Sequence, residues 1–145
     1  MKLFLDTNVI LDVLIPARER HNQAVKLLNL VIKGTFKAAV TTHSVIDADY
    51  VMTKMGKKKD FEEKLQVLMR YVELISVSEE DIAWACKGHI NDFEDATHFS
   101  AALSNYCSVF ITANPIFKTY SRMWTFTPGE FLDFVFGDYP NLLRD

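Results

Sequence analysis

Cysteine is scarce: Cys86 and Cys107 are the two in 145 residues. That is too few for a secreted disulfide framework, and their separation fits no metal-ligand spacing, so both read as reduced thiols outside any mechanism. Long apolar runs are also missing. Nothing approaches the roughly 20 residues a membrane-spanning helix needs, and the opening Met1-Lys2-Leu3-Phe4-Leu5-Asp6 is apolar for too short a stretch to be a signal peptide. A cytoplasmic protein with no membrane partner is the expectation. Positive charge is not in excess either, with 16 Lys and Arg against 19 Asp and Glu and a formal charge of −3, so any polyanion must be held locally. Local attractors are Lys54, Lys57, Lys58 and Lys59, with Arg18 and Arg20 near the first acidic segment, although such clusters are commonly just solvated. The histidines His21, His43, His89 and His98 are scattered without a zinc-binding spacing. Trp84, Trp124 and the phenylalanines read as core.

What is present is a nearly half-hydrophobic chain of single-domain size without repeats or linkers. Residues 1–136 are expected to form the domain, with 137–145 as a tail whose Tyr139, Leu142 and Leu143 pack on the body or on a partner. Lys2–Leu5 reads as a buried strand, followed by the cap-forming Asp6-Thr7-Asn8 and an apolar helical run from Val9 to Leu14. A helix begins at His21, with Ala24, Leu27, Leu28 and Val31 on one face and Gly34 at its end. Lys37–Thr41 is a second strand, leading into a helix that buries Val45, Ala48, Val51, Met52 and Met55. Phe61, Leu65, Leu68 and Val72 repeat at helical spacing, and Leu74–Val77 reads as a third strand. Ser78 and Asp81 open a short helix, and Asp92 precedes another that carries Ala96, Phe99, Ala102, Leu103 and Tyr106 on one side. Ser108–Thr112 is a fourth strand, Met123–Phe126 a fifth, and Thr127-Pro128-Gly129-Glu130 starts a last helix. This alternation implies an α/β three-layer sandwich with a small, mostly parallel central sheet.

In such a sheet ligands bind beyond the carboxyl ends of the strands. Asp6, Asp47, Thr112 and Asn114 fall at or just after strand ends, whereas Asp92 and Asp95 start a helix that must lean over the same edge. Taken singly, each acid is explained by helix capping or by the helix dipole. Gathered, they repel one another and raise each other's pKa unless a cation neutralises them. Magnesium or manganese suits Asp6, Asp47 and Asp95, because both ions prefer oxygen ligands, and the lack of histidine and cysteine ligands argues against zinc.

Leu5-Asp6-Thr7-Asn8-Val9-Ile10-Leu11-Asp12, Asp92-Phe93-Glu94-Asp95-Ala96 with Ala101-Ala102, and Ile111-Thr112-Ala113-Asn114 resemble, in order, motifs of the PIN-domain family. The resemblance runs over nearly the whole chain. It implies a metal-dependent ribonuclease, in many members the toxin of a toxin–antitoxin pair, with RNA as substrate, a small antitoxin as partner and a homodimer as assembly. It also implies that Asp6, Asp47 and Asp95 are the catalytic, metal-binding acids, Asp92 an additional metal acid, and Asn8, Thr112 and Asn114 supporting residues. Two departures stand out. The second acid is usually Glu where this chain has Asp47, with Asp49 the alternative if the register differs. The fourth motif commonly has an acid where this chain has Asn114, or three residues later, where it has Phe117.

Two other functions compete. A haloacid-dehalogenase-type phosphatase would use Asp6 as nucleophile, but needs a second Asp where Asn8 stands. A PIN-like module without turnover would bind RNA or protein, and the reduced fourth motif is its support.

Overall fold

The computed structural model describes residues 1–113 and 123–138. Asn114, Phe117 and the tail residues Tyr139, Leu142 and Leu143 lie outside them, so the expectations placed on these positions have no structural counterpart.

The strands are β1 (Lys2–Leu5), β2 (Lys37–Thr41), β3 (Val72–Ile75), β4 (Val109–Ile111) and β5 (Trp124–Phe126), and they pair in the order β3-β2-β1-β4-β5. Every pairing among them is parallel. The helices are α1 (Thr7–Leu14), α2 (His21–Ile32), α3 (Thr42–Lys54), α4 (Lys58–Leu68), α5 (Glu79–Ala85), α6 (Phe93–Ser104) and α7 (Pro128–Asp133), which continues into a π-helical turn at Phe134–Asp138. No helix among the described residues is long and apolar enough to cross a membrane.

Strand alternation divides the interior in two. Leu3, Leu5, Ala38, Val40, Val109 and Ile111 face one core, completed by α1 to α4 and α7. Phe4, Ala39 and Phe110 face the other, closed by Ala85 of α5 and by Ala96, Phe99, Ala101 and Ala102 of α6. Phe4 and Phe110 stack there at 4.8 Å between ring centroids. Helices on both faces explain why β1, β2 and β4 are buried almost throughout, while the edge strands β3 and β5 are partly exposed.

The third strand begins two residues earlier than the sequence pattern suggests, at Val72 rather than Leu74. Val72 has helical spacing from Leu68, yet α4 stops at Leu68, and Val72 pairs instead with Ala38 of β2. Tertiary pairing overrides a local periodicity that either element satisfies. The capping devices at the helix starts match the sequence. Ser78 with Asp81 and Thr127 with Glu130 both form reciprocal capping boxes, and Pro128 takes the first helical position.

Candidate metal centre

The strand order reverses direction at β1, since the chain steps from β1 to β2 and β3 on one side and to β4 and β5 on the other. The crevice between β1 and β4 is therefore the topological switch point, where ligands of open parallel sheets bind. Leu5 pairs with Ile111, which brings the next residues, Asp6 and Thr112, side by side at that edge. The Asp6 backbone N–H donates to Ile111 O at 2.9 Å, and the Thr112 N–H to Phe126 O at 3.0 Å, so both are fixed by the sheet.

Asp6 caps α1, and three donors hold its buried carboxylate. Oδ1 accepts the Thr7 N–H at 2.9 Å and lies 3.2 Å from Nδ1 of His98, while Oδ2 accepts the Thr112 hydroxyl at 3.0 Å. Asp95 comes from the first turn of α6, whose N-cap Asp92 accepts the Asp95 N–H at 2.9 Å. Asp6, Thr7, Asn8, Asp92, Glu94, Asp95 and Thr112 line one pocket of about 220 Å³. The helix before β4 thus leans over the strand ends as the acidic pattern requires.

Crowding has an electrostatic signature. Burial, then Asp6, Asp92 and Glu94 in that order, raise the Asp95 carboxyl from 3.8 to about 7, with His98 opposing them. A carboxyl held that high by burial and by neighbouring acids, in a pocket lined by carboxylate, hydroxyl and amide oxygens, has the chemistry of a hard divalent cation site. The residues present therefore fit magnesium or manganese.

Asp47 is placed differently. It is not among the residues lining that pocket, and its Oδ2 lies 3.2 Å from Nε2 of His43, one helical turn earlier. His43 in turn lies 3.9 Å from Oε1 of Glu94, so Asp47 joins the acidic group through an imidazole. Asp49 faces elsewhere and accepts the Thr53 hydroxyl at 3.3 Å.

Sequence spacing gave no sign of four contributors. Glu94 lines the pocket beside the expected acids. His98, fully buried, bridges Asp6 through Nδ1 and Thr41 Oγ1 through Nε2, at 3.2 Å each. Thr41 and Ser44 extend this chain, with Ser44 Oγ 3.1 Å from Thr41 Oγ1 and 2.7 Å from Thr7 Oγ1. The apolar spacing of this helix, Ala96, Phe99, Ala102, Leu103 and Tyr106, passes over His98, and only the fold reveals that His98 is buried against Asp6. Ligand atoms of His43, Glu94 and His98 also lie within 4.8 Å of one another. Since both His98 nitrogens are engaged with Asp6 and Thr41, we regard that trio as support for the oxygen-lined pocket, not as a separate nitrogen-rich site.

An all-parallel α/β sandwich with an acid-lined pocket at its switch point defines a class of fold able to hold a hard cation at the strand ends. The sequence places the chain within one family of that class: the PIN domain matches residues 2–115, and this protein belongs to that family. Ribonuclease VapC1 of Aquifex aeolicus is 22% identical over 121 residues, covering 80% of this chain and 83% of that protein. The fold resembles VapBC2 from Rickettsia felis bound to a promoter DNA fragment, with TM-score 0.67, 20% identity, and coverage of 88% of this chain and 98% of that one. It also resembles Mycobacterium tuberculosis VapC20, a sarcin-ricin-loop-cleaving toxin, with TM-score 0.66, 13% identity, and coverage of 83% and 96%.

Proposed function

We propose that this chain is a metal-dependent endoribonuclease and the toxin of a toxin–antitoxin pair. The observation that carries this reading is the convergence of Asp6, Asp92, Glu94 and Asp95 with Thr112 on one polar pocket at the β1–β4 crevice. Asp6 and Asp95 are the principal cation-holding acids, Asp92 and Glu94 flank them, and Asp47 completes the acidic group through His43. Magnesium or manganese held there would lower the pKa of a bound water, making hydroxide available as the nucleophile, and would offset the negative charge that builds on the phosphodiester oxygens.

The protein's own part is orientation. Thr7, Thr112 and His98 fix both Asp6 oxygens, and Asn8 offers an amide at the pocket's edge. Fixed carboxylates cost little reorganisation when the reacting phosphate arrives. The ribonuclease and toxin among the relatives support RNA as substrate; a small antitoxin as partner, a homodimer as assembly and the cytoplasm as location belong to the same proposal and rest on the family resemblance. Asn114, outside the described residues, keeps its proposed supporting role on the resemblance alone.

The test is cleavage of single-stranded RNA by purified protein in manganese or magnesium. Expected are products with 5′ phosphates, abolished by chelation and by Asp6→Asn or Asp95→Asn. Undiminished cleavage by either variant overturns the assignment. Metal binding without cleavage of any RNA would favour the module lacking turnover, which the non-acidic Asn114 and Phe117 positions support.

A further inference from the structure

Beside the acidic pocket lies a second one, of about 430 Å³, lined by Asp12, Arg18, Glu19, Arg20 and Ala113. Its two arginines come from the turn between α1 and α2, and both are tethered to the catalytic edge. Arg18 Nε donates to Oδ1 of the buried Asp12 at 2.7 Å, and Arg18 Nη2 to Oδ1 of Asn8 at 3.4 Å. Arg20 Nη1 donates to the carbonyl oxygen of Ala113, the residue after Thr112. Asn8 itself lines the acidic pocket, so one side chain joins the two sites.

We infer that Arg18 is a substrate-binding residue, its guanidinium aimed by Asp12 and Asn8 to hold an RNA phosphate neighbouring the one cleaved. This rests on the ribonuclease reading. Three features separate Arg18 from an ordinary surface ion pair. First, Asp12 and Asn8 engage only Nε and Nη2, and the side chain of Arg18 is still 34% exposed at a pocket it lines. Second, Asp12 is rigid: it is 3% exposed, and its backbone oxygen lies 2.8 Å from Nδ1 of His21, so the arm that aims Arg18 is anchored at both ends of the turn. Third, the acidic pocket repels RNA until a cation fills it, whereas its neighbour sets Arg18 and Arg20 against Asp12 and the exposed Glu19, so it is electrically balanced and its guanidiniums are the positive groups a phosphate beside the acidic pocket can meet. A planar guanidinium matches phosphate oxygens in a way an ammonium does not.

The experiment is steady-state cleavage of a fluorescein-labelled single-stranded RNA of mixed sequence in manganese, across a series of salt concentrations. For Arg18→Gln we expect KM to rise about tenfold with kcat little changed, as for loss of a charge-assisted contact made equally in ground and transition states. The slope of log(kcat/KM) against log salt should shrink by roughly 0.7, one single-strand phosphate contact. Arg18→Lys should restore the slope but only part of the affinity. Because Arg18→Gln strands a buried carboxylate, the double variant Asp12→Asn/Arg18→Gln serves as a better-folding counterpart and should show the same KM and slope. A folded variant, single or double, with wild-type KM and salt slope overturns the role of Arg18 while leaving the ribonuclease standing. Wild-type protein that cleaves no RNA overturns both.

Discussion

Nδ1 of His98 lies 3.2 Å from Oδ1 of Asp6, joining a buried helix position to the first strand's end. The imidazole presents an N–H to the carboxylate there, and Thr41 holds its other nitrogen. The ring is thereby set in one orientation, and Asp6 with it. Replacing His98 by Asn should weaken manganese binding about tenfold to a hundredfold, the usual loss for an outer partner of a metal ligand. Isothermal titration of the metal-free protein with manganese measures this. Unchanged affinity would mean that Asp6 is held well enough by Thr7 and Thr112 alone.

Acidity offers a second test. In the metal-free chain the Asp95 carboxyl sits near 7, above its ordinary 3.8. The folded chain then keeps a proton that the unfolded chain has lost, so this group makes stability fall as pH rises from about 4 to about 7. Manganese binding must displace the same proton, so apparent affinity should climb with pH up to about 7 and then level off. Asp95→Asn should flatten the stability profile over that window, read by thermal melting at fixed ionic strength.

Asp47 and Asp49 lie two positions apart on α3 but face different neighbours, His43 and Thr53. Asp47→Asn should lower manganese-dependent RNA cleavage by at least about tenfold, because its charge belongs to the acidic group around Glu94. Asp49→Asn should leave cleavage within about twofold of wild type. The reverse order would shift the register of the second acid.

A structural prediction concerns Asp81. It is buried, accepts the Ser78 N–H at 2.8 Å and its hydroxyl at 3.0 Å, and receives the Ser100 hydroxyl at 2.7 Å, tying α5 to α6. Asp81→Ala should cost about 2–4 kcal/mol in urea unfolding, since a cap is lost and buried donors lose their acceptor. Asp95 rides on α6, so manganese affinity should drop as well.

Much of this was readable from the chain. Lys2–Leu5 and Lys37–Thr41 are strands with the bounds their apolar runs suggest, and the capping boxes at Ser78 and Thr127 start helices as expected. Asp6, Asp92, Asp95 and Thr112 line one pocket as the acidic pattern suggests, whereas Asp47, expected among them, stands apart behind His43. What failed to show was whatever depends on contacts between elements. Val72 belongs to a strand because Ala38 lies beside it, which no local spacing encodes. His43 and His98 each stand near an acidic segment in the sequence, but that their rings pack 5.6 Å apart follows only from the convergence of α3 and α6 on one edge. Glu94 was eclipsed by the two aspartates that flank it, and its reach into the pocket follows from how α6 tilts, not from residue type.

β1 is only four residues long, yet it is a wall shared by two rooms: Leu3 and Leu5 look into one, Phe4 into the other, and Asp6 stands at the doorway where the wall ends. One added residue in that stretch would exchange the rooms for every side chain on one side of it and swing the doorway round. Chemistry and packing are thus keyed to a single count along the chain.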